Sequence, residues 1–295
     1  MLVLALLGTA GDPLILARQA ALDLINEVRL GQQLPPLHSD PFLERLGDAF
    51  CSKLLLENRQ GHFTSEGIPP YLRYLLAGGR GFHKENVGSY ETTGLLGVDE
   101  LPELAMKLTR AMLQEQPPED GHRRTLLDPL ATHVGVGLAY SAHRLVMSHE
   151  VVTQVGKVEQ TKTLCRPLSP LRLTGVLPKP WRVAAVELLW EPLPGSPPPA
   201  GSYSYPPRKA WYTPREFEPL TLVSVPGPLS VGTTGRFRFN HRVGAQEGVE
   251  LLVLWGTRSG ETTLHPLALG GCVIMRGTLP EPLLFWVHLK QESQP

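Results

Sequence analysis

The sequence predicts an α+β chain in two parts, a first half of mixed helices and strands and an all-β second half. Three observations carry this. The length, 295 residues, exceeds the roughly 100–200 residues of an ordinary single domain. Apolar residues recur at helical spacing in several stretches up to Glu115. All five tryptophans lie from Trp181 onward, among short apolar runs separated by turn signals.

In the first half, Asp12-Pro13 supplies an N-cap followed by proline at the first helical position. Leu14, Ala17, Ala21, Leu24, Ile25 and Val28 then follow a period near 3.6, which predicts a helix ending at Gly31. Asp40-Pro41 repeats the start signal, and Phe42, Leu46, Ala49, Phe50 and Leu54 form the apolar face of a second helix. A third helical pattern covers Leu101 to Glu115. "HVGVGLAY" and "RLVMSHEVV" read as strands, with Gly135 and Gly137 permitting close packing on the sheet.

The second half changes texture. "RVAAVELLW", "LTLVSV", "GRFRFNHRV", "GVELLVLWG", "GCVIMRG" and "LLFWVHL" are short apolar or β-branched runs of the kind that build a sandwich or partial barrel. Seven prolines between Pro192 and Pro207 predict a stiff extended loop. The expected organisation is a signal segment over 1–11, a first domain over 12–154, a linker over 155–170 and a β-rich domain over 171–295. Trp211, Tyr212, Tyr203 and Tyr205 read as core packing, with a carbohydrate or peptide platform as the alternative.

The formal net charge is zero, so the basic field that nucleic acids require is missing. "MLVLALLGTAGDP" is too short to span a bilayer and has the apolar run and small residues of a secretory signal, without its positive start. That predicts a secreted or extracytoplasmic protein, with a buried N-terminal helix as the alternative. Three dispersed cysteines, Cys51, Cys165 and Cys272, form no zinc-ligand spacing. Cys51 sits in a helical apolar pattern as a small hydrophobe, and a Cys165–Cys272 bridge is left open.

Four stretches in the first half carry chemistry: "LPPLHSDPFL", "NRQGHFTSEG", "HKENVGSY" and "GHRRTLLDPLATHVGVGLAY". In this order they resemble the bacterial branch of the CAP superfamily, also called the SCP domain, which includes cysteine-rich secretory, antigen 5 and pathogenesis-related proteins. The resemblance covers residues 14–154. It implies a three-layer α/β/α sandwich with a cleft holding two histidines and two acidic residues, which bind a divalent metal such as zinc in some members. By motif the tetrad is His62, Glu85, Glu115 and His122. Glu115 is placed three residues after Met112, where the family has tryptophan, and Glu119 or Asp120 stand as alternatives. Asn86 and Arg123 are supporting residues. Gly61 replaces the family's serine and Lys84 its glycine; a Lys84 charge near the cleft is expected to compete with a metal.

Two neutral imidazoles, His62 and His122, suit Zn²⁺ and leave positions for water, while carboxylates orient the rings by accepting their other proton. An open metal beside a carboxylate is also the outline of a hydrolytic centre, although no HExxH motif is present. The expected function is a secreted, non-enzymatic binding protein whose partner is a small ligand or envelope component. A metal-dependent hydrolase and a cluster that only stabilises the fold are the rivals. His38, His83, His133 and His149 are explained by ordinary loop or strand positions.

Overall fold

The computed structural model describes residues 12–198, 203–214 and 228–291. In chain order the elements of the first half are α1 (Pro13–Gly31), β1 (His38–Ser39), α2 (Pro41–Leu56), α3 (Pro70–Leu76), β2 (Phe82–Glu91), α4 (Leu101–Leu113), α5 (Gly121–Leu126), β3 (His133–Tyr140) and β4 (Arg144–Thr153). There follow β5 (Lys157–Gln160), β6 (Leu164–Cys165), β7 (Pro170–Val176), β8 (Trp181–Glu191), β9 (Arg208–Tyr212), β10 (Leu229–Val231), β11 (Arg236–Arg242), β12 (Gly248–Arg258), β13 (His265–Ile274) and α6 (Glu281–Gln291). The protein is a mixed α+β chain with several sheets. Its described residues divide into two compact units. One takes 12–70, 84–152 and 196–198; the other takes 71–83, 153–195, 203–214 and 228–291.

In the first unit, α1 begins where the Asp12 carboxylate accepts from the Leu14 N–H at 2.8 Å, and α2 begins the same way with Asp40 and Phe42 at 2.8 Å. The sheet runs β1-β3-β4-β2, with β1 parallel and β4 antiparallel to β3. On one face Ala17, Ala21, Leu101 and Ala105 from α1 and α4 pack against Val136, Leu138, Leu145 and Met147. On the other face α2 lies directly on β3. A Cβ added at Gly137 would fall 2.2 Å from the Gly47 carbonyl carbon, and one at Gly135 2.2 Å from that of Leu43. The expected close packing at these two glycines is therefore present, and helices cover both sheet faces.

Strand β1 has only two residues, so beyond Ser39 the outer edge of β3 needs other partners. Arg18 Nε donates to the Val136 carbonyl at 3.0 Å, and Asp48 accepts from the Leu138 N–H at 2.8 Å. The two side chains form an ion pair at 2.6 Å. Cys51 is fully buried, its thiol 3.5 Å from the Gly137 carbonyl, as expected of a small hydrophobe.

The second unit holds two sheets, ordered β10-β11-β7-β5 and β6-β13-β12-β8-β9. Leu171, Leu173, Phe237 and Phe239 from the first and Val186, Leu188, Leu252, Leu254 and Ile274 from the second share one core cluster. Residues expected as linker contribute β5 and β6. Trp211 is buried, Tyr205 is half-buried and stacks on Tyr71 and Phe82, and Tyr212 packs on the core, which is the packing reading of the sequence.

The second half is not made of strands alone. "LLFWVHL", expected as a strand, lies in helix α6. Pro282 in the first turn suits a helix start. Leu283 and Trp286, three residues apart, are buried while Phe285 is 48% exposed, a helical and not an alternating pattern. "LTLVSV" and the expected signal segment lie outside the described residues. Among the described residues no helix is long and apolar enough to cross a membrane.

Candidate functional site

The four tetrad residues come together in the first unit as two histidine–glutamate pairs. After α2 ends, Asn58 at φ 48 and Gly61 at φ 88 reverse the chain and deliver His62. The glycine that stands where the family has serine thus occupies a backbone conformation that suits glycine alone. Glu85 lies on β2 and is 3% exposed. Its carboxylate accepts from His62 Nδ1 at 2.9 Å. The preceding residue, Lys84, is bonded to Asp128 at 2.6 Å. Its charge is met there by a carboxylate, so the expected competition with a cleft metal is offset.

Glu115 comes just after Gln114, the C-cap of α4. One oxygen is 2.5 Å from His122 Nδ1; the other accepts from the His122 backbone N–H at 2.9 Å and that of Arg123 at 3.4 Å. Asp120, an alternative to Glu115 in the sequence reading, pairs with Arg124 at 3.0 Å instead. His122 is the second residue of helix α5, not part of a bare turn. Asn86 Nδ2 donates to the His122 carbonyl at 3.0 Å, tying β2 to α5. Arg123 joins the cluster through its backbone N–H. Met112, at the family's tryptophan position, packs towards Gly88, where an added Cβ would meet its Cε at 2.8 Å.

The His62 and His122 rings stand with centroids 6.4 Å apart and planes at 38°. A carboxylate only accepts, so it selects the Nδ1–H tautomer of a neutral imidazole, in which the lone pair lies on Nε2. That is the tautomer a metal-ligating imidazole needs, with a carboxylate behind it.

Two further residues frame the site and carried no sequence signal. Arg29, fully buried, donates to the carbonyls of Pro35 at 2.8 Å, Leu126 at 2.7 Å, Asp128 at 3.0 Å and Ala131 at 3.5 Å. It anchors the C-terminal end of α5 to α1, and burial pulls its pKa down against the opposing pull of Asp128. His149, also fully buried, meets the Thr109 hydroxyl at 3.2 Å. Burial first and nearby His122 second lower its pKa to about 3, so it stays neutral beneath the pair.

Zinc bound by two imidazoles with Zn–N of about 2.0–2.1 Å and tetrahedral angles brings ring centroids to about 5 Å. The observed separation is roughly 1 Å wider. Among the described residues no group of three or more His, Cys, Asp or Glu side chains is arranged as a metal-ligand set. Two imidazoles offer two nitrogen donors, which is short of the four ligands of a closed structural site.

No family model matches the chain, and no curated protein matches it. The structure is similar to solved structures of bacterial SCP and CAP proteins. One is an extracellular SCP-domain protein from Bacillus anthracis, at 22% identity and TM-score 0.34, covering 47% of this chain and 40% of that one. Another is an outer surface protein from Borrelia burgdorferi, at 17% identity and TM-score 0.35, covering 49% and 95%. A third is the CAP domain of enterococcal PrgA, at 19% identity and TM-score 0.34, covering 49% and 62%. The chain thus spans less than half of the Bacillus protein.

Proposed function

We propose that residues 12–154 form a CAP-type binding domain whose two histidine–glutamate pairs hold a divalent metal, or a small ligand through it, without catalysing a reaction. One observation carries the reading. Both imidazoles have Nδ1 committed to a carboxylate, at 2.9 and 2.5 Å, with the rings 6.4 Å apart. The sequence motifs that bring these residues together point the same way.

In this reading His62 and His122 are the ligands through Nε2. Glu85 and Glu115 fix the tautomer and the ring planes, and Asn86 holds α5 against β2. A bound zinc would supply Lewis acidity and open positions for an anionic or carbonyl group. A hydrolytic role also needs a base free to activate water. Glu85 already accepts from His62, and Glu115 accepts from His122 and Arg123. Binding is therefore preferred. The protein is read as exported by its N-terminal segment, with the β-rich second half as a sandwich-like accessory binding module and an envelope component or small molecule as partner.

The test is calorimetric titration of the full chain with zinc, wild type against His62→Ala/His122→Ala. Stoichiometric binding at micromolar affinity or tighter, lost in a double variant that keeps its circular dichroism, supports the reading. Absent binding, or binding the double variant retains, overturns it and leaves the pairs as scaffolding.

A further inference from the structure

Cys165 and Cys272 lie far from the histidine cleft in sequence, and both belong to the second unit. Cys165 sits on β6, a two-residue strand at the edge of the five-stranded sheet. In the parallel β6–β13 pairing Cys165 stands opposite Ile274. The register is held by Val273 N–H to the Thr163 carbonyl at 2.9 Å and Met275 N–H to the Cys165 carbonyl at 3.0 Å. Alternate residues of a strand share a face, so Cys272 projects on the same side as Ile274. Cys165, Cys272 and Ile274 accordingly fall in one core cluster. Both cysteines are free thiols, and each is the first-named influence on the other's titration.

The two thiols are not equivalent. The hydrogen bond from Cys272 is the largest influence on Cys165 and lowers its pKa; the Lys162 ammonium and Ser169 hydroxyl act in the same direction against burial. Lys162 and Ser169 are themselves bonded at 3.2 Å. Cys272 is pushed up, first by donating to Cys165 and then by burial. A thiolate-prone sulfur beside a protonated one on the same face of paired strands is the arrangement of an attacking and a resolving thiol. The core cysteine Cys51 differs: among the described residues the Ser148 hydroxyl is beside it but no cation is, and burial pushes its thiol well up. Access is limited, since Cys165 is 4% exposed, but it lies on a short edge strand between the exposed Leu164 and Leu168.

We infer that Cys165 and Cys272 are a redox dithiol, reduced in the state described and joined as one disulfide after reaction with a small disulfide oxidant. Cys165 sulfur attacks one sulfur of the oxidant, whose S–S bond breaks and whose leaving thiolate takes up a proton. Cys272 then gives up its proton, attacks the Cys165 sulfur and expels the second thiol. Two protein thiols are oxidised and one external disulfide is reduced to two thiols. This inference is independent of whether the histidine cleft holds a metal.

The experiment uses the reduced full chain in glutathione buffers of increasing oxidised fraction, quenched in acid, unfolded and alkylated for intact-mass and peptide analysis. The expected result is simultaneous loss of alkylation at Cys165 and Cys272, a linked peptide containing both, and Cys51 alkylated throughout. Cys272→Ser is expected to stop at a glutathione adduct on Cys165, and Cys165→Ser to give no adduct. The inference is overturned by three alkylated cysteines at the most oxidising ratio, by a link involving Cys51, or by wild type that halts at the adduct. The wild-type map decides alone if either variant does not fold.

Discussion

Glu115 grips His122 twice, at its ring Nδ1 at 2.5 Å and at its backbone N–H at 2.9 Å. One carboxylate therefore sets both the place of the α5 N-terminus and the rotation of the imidazole it carries. Glu115→Gln keeps the volume but turns one acceptor into a donor that faces a backbone N–H. An unfolding free energy lower by about 1–3 kcal/mol is expected. Zinc affinity should fall about 10–100-fold, the usual effect of removing a carboxylate behind a ligating histidine. Denaturation and calorimetry on the same sample measure both. Unchanged affinity would separate Glu115 from the binding role and leave it as a cap.

Arg29 is the hidden support of the same helix. Replacing it by methionine keeps the stem packing and removes the donors serving the carbonyls of Pro35, Leu126, Asp128 and Ala131. Buried acceptors left unpaired cost about 1–3 kcal/mol each, partly recovered by water or relaxation. Arg29→Met should therefore destabilise by about 3 kcal/mol or more and speed amide exchange in residues 121–131 above that elsewhere in the first unit. A stable variant with unaltered exchange there would show that α5 does not depend on Arg29.

What the sequence made legible was local. Asp12-Pro13 and Asp40-Pro41 are start signals contained in two residues, and α1 and α2 begin on them. The histidine–glutamate pairing was readable because the motifs carry each residue with its neighbours. Arg29 was not, since three of its partners lie 97 to 102 residues away and nothing beside it announces burial. His149 looked like any strand residue because its burial depends on α4 crossing above β4. The α6 error has another cause. Seven largely apolar residues fit a buried strand or a buried helix equally well, and only packing of Leu283 and Trp286 decides between them.

The contact of α2 with β3 predicts an intolerant glycine. A Cβ at Gly137 would lie 2.2 and 2.4 Å from the Gly47 carbonyl carbon and Cα, and backbone cannot rotate aside as a side chain would. Gly137→Ala should push α2 off the sheet and cost about 2–3 kcal/mol or more, at the upper end for overpacking. Gly121→Ala, where an added Cβ meets nothing within 4 Å, is the matched control and should stay within about 1 kcal/mol of wild type. Equal midpoints for the two variants would contradict the close approach.

Glu191 gives the second unit a pH-dependent stability. Its carboxylate accepts from the Tyr71 hydroxyl at 3.0 and 2.9 Å. Burial still pushes its pKa from the ordinary 4.5 up to about 7, with the Tyr71 bond pulling the other way. A carboxyl whose folded pKa is raised holds its proton more tightly when folded. Its contribution is fully present below the unfolded value and is lost as pH rises through the folded one, across the window from about 4.5 to 7. Between pH 5 and pH 8 the loss amounts to about 2–3 kcal/mol, at about 1.4 kcal/mol per pH unit. Glu191→Gln keeps an acceptor for Tyr71 and removes the titration. Its stability relative to wild type should therefore climb by that amount from pH 5 to pH 8, read from urea midpoints at each pH. A difference that stays flat would mean that Glu191 is ionised throughout and that solvent reaches it.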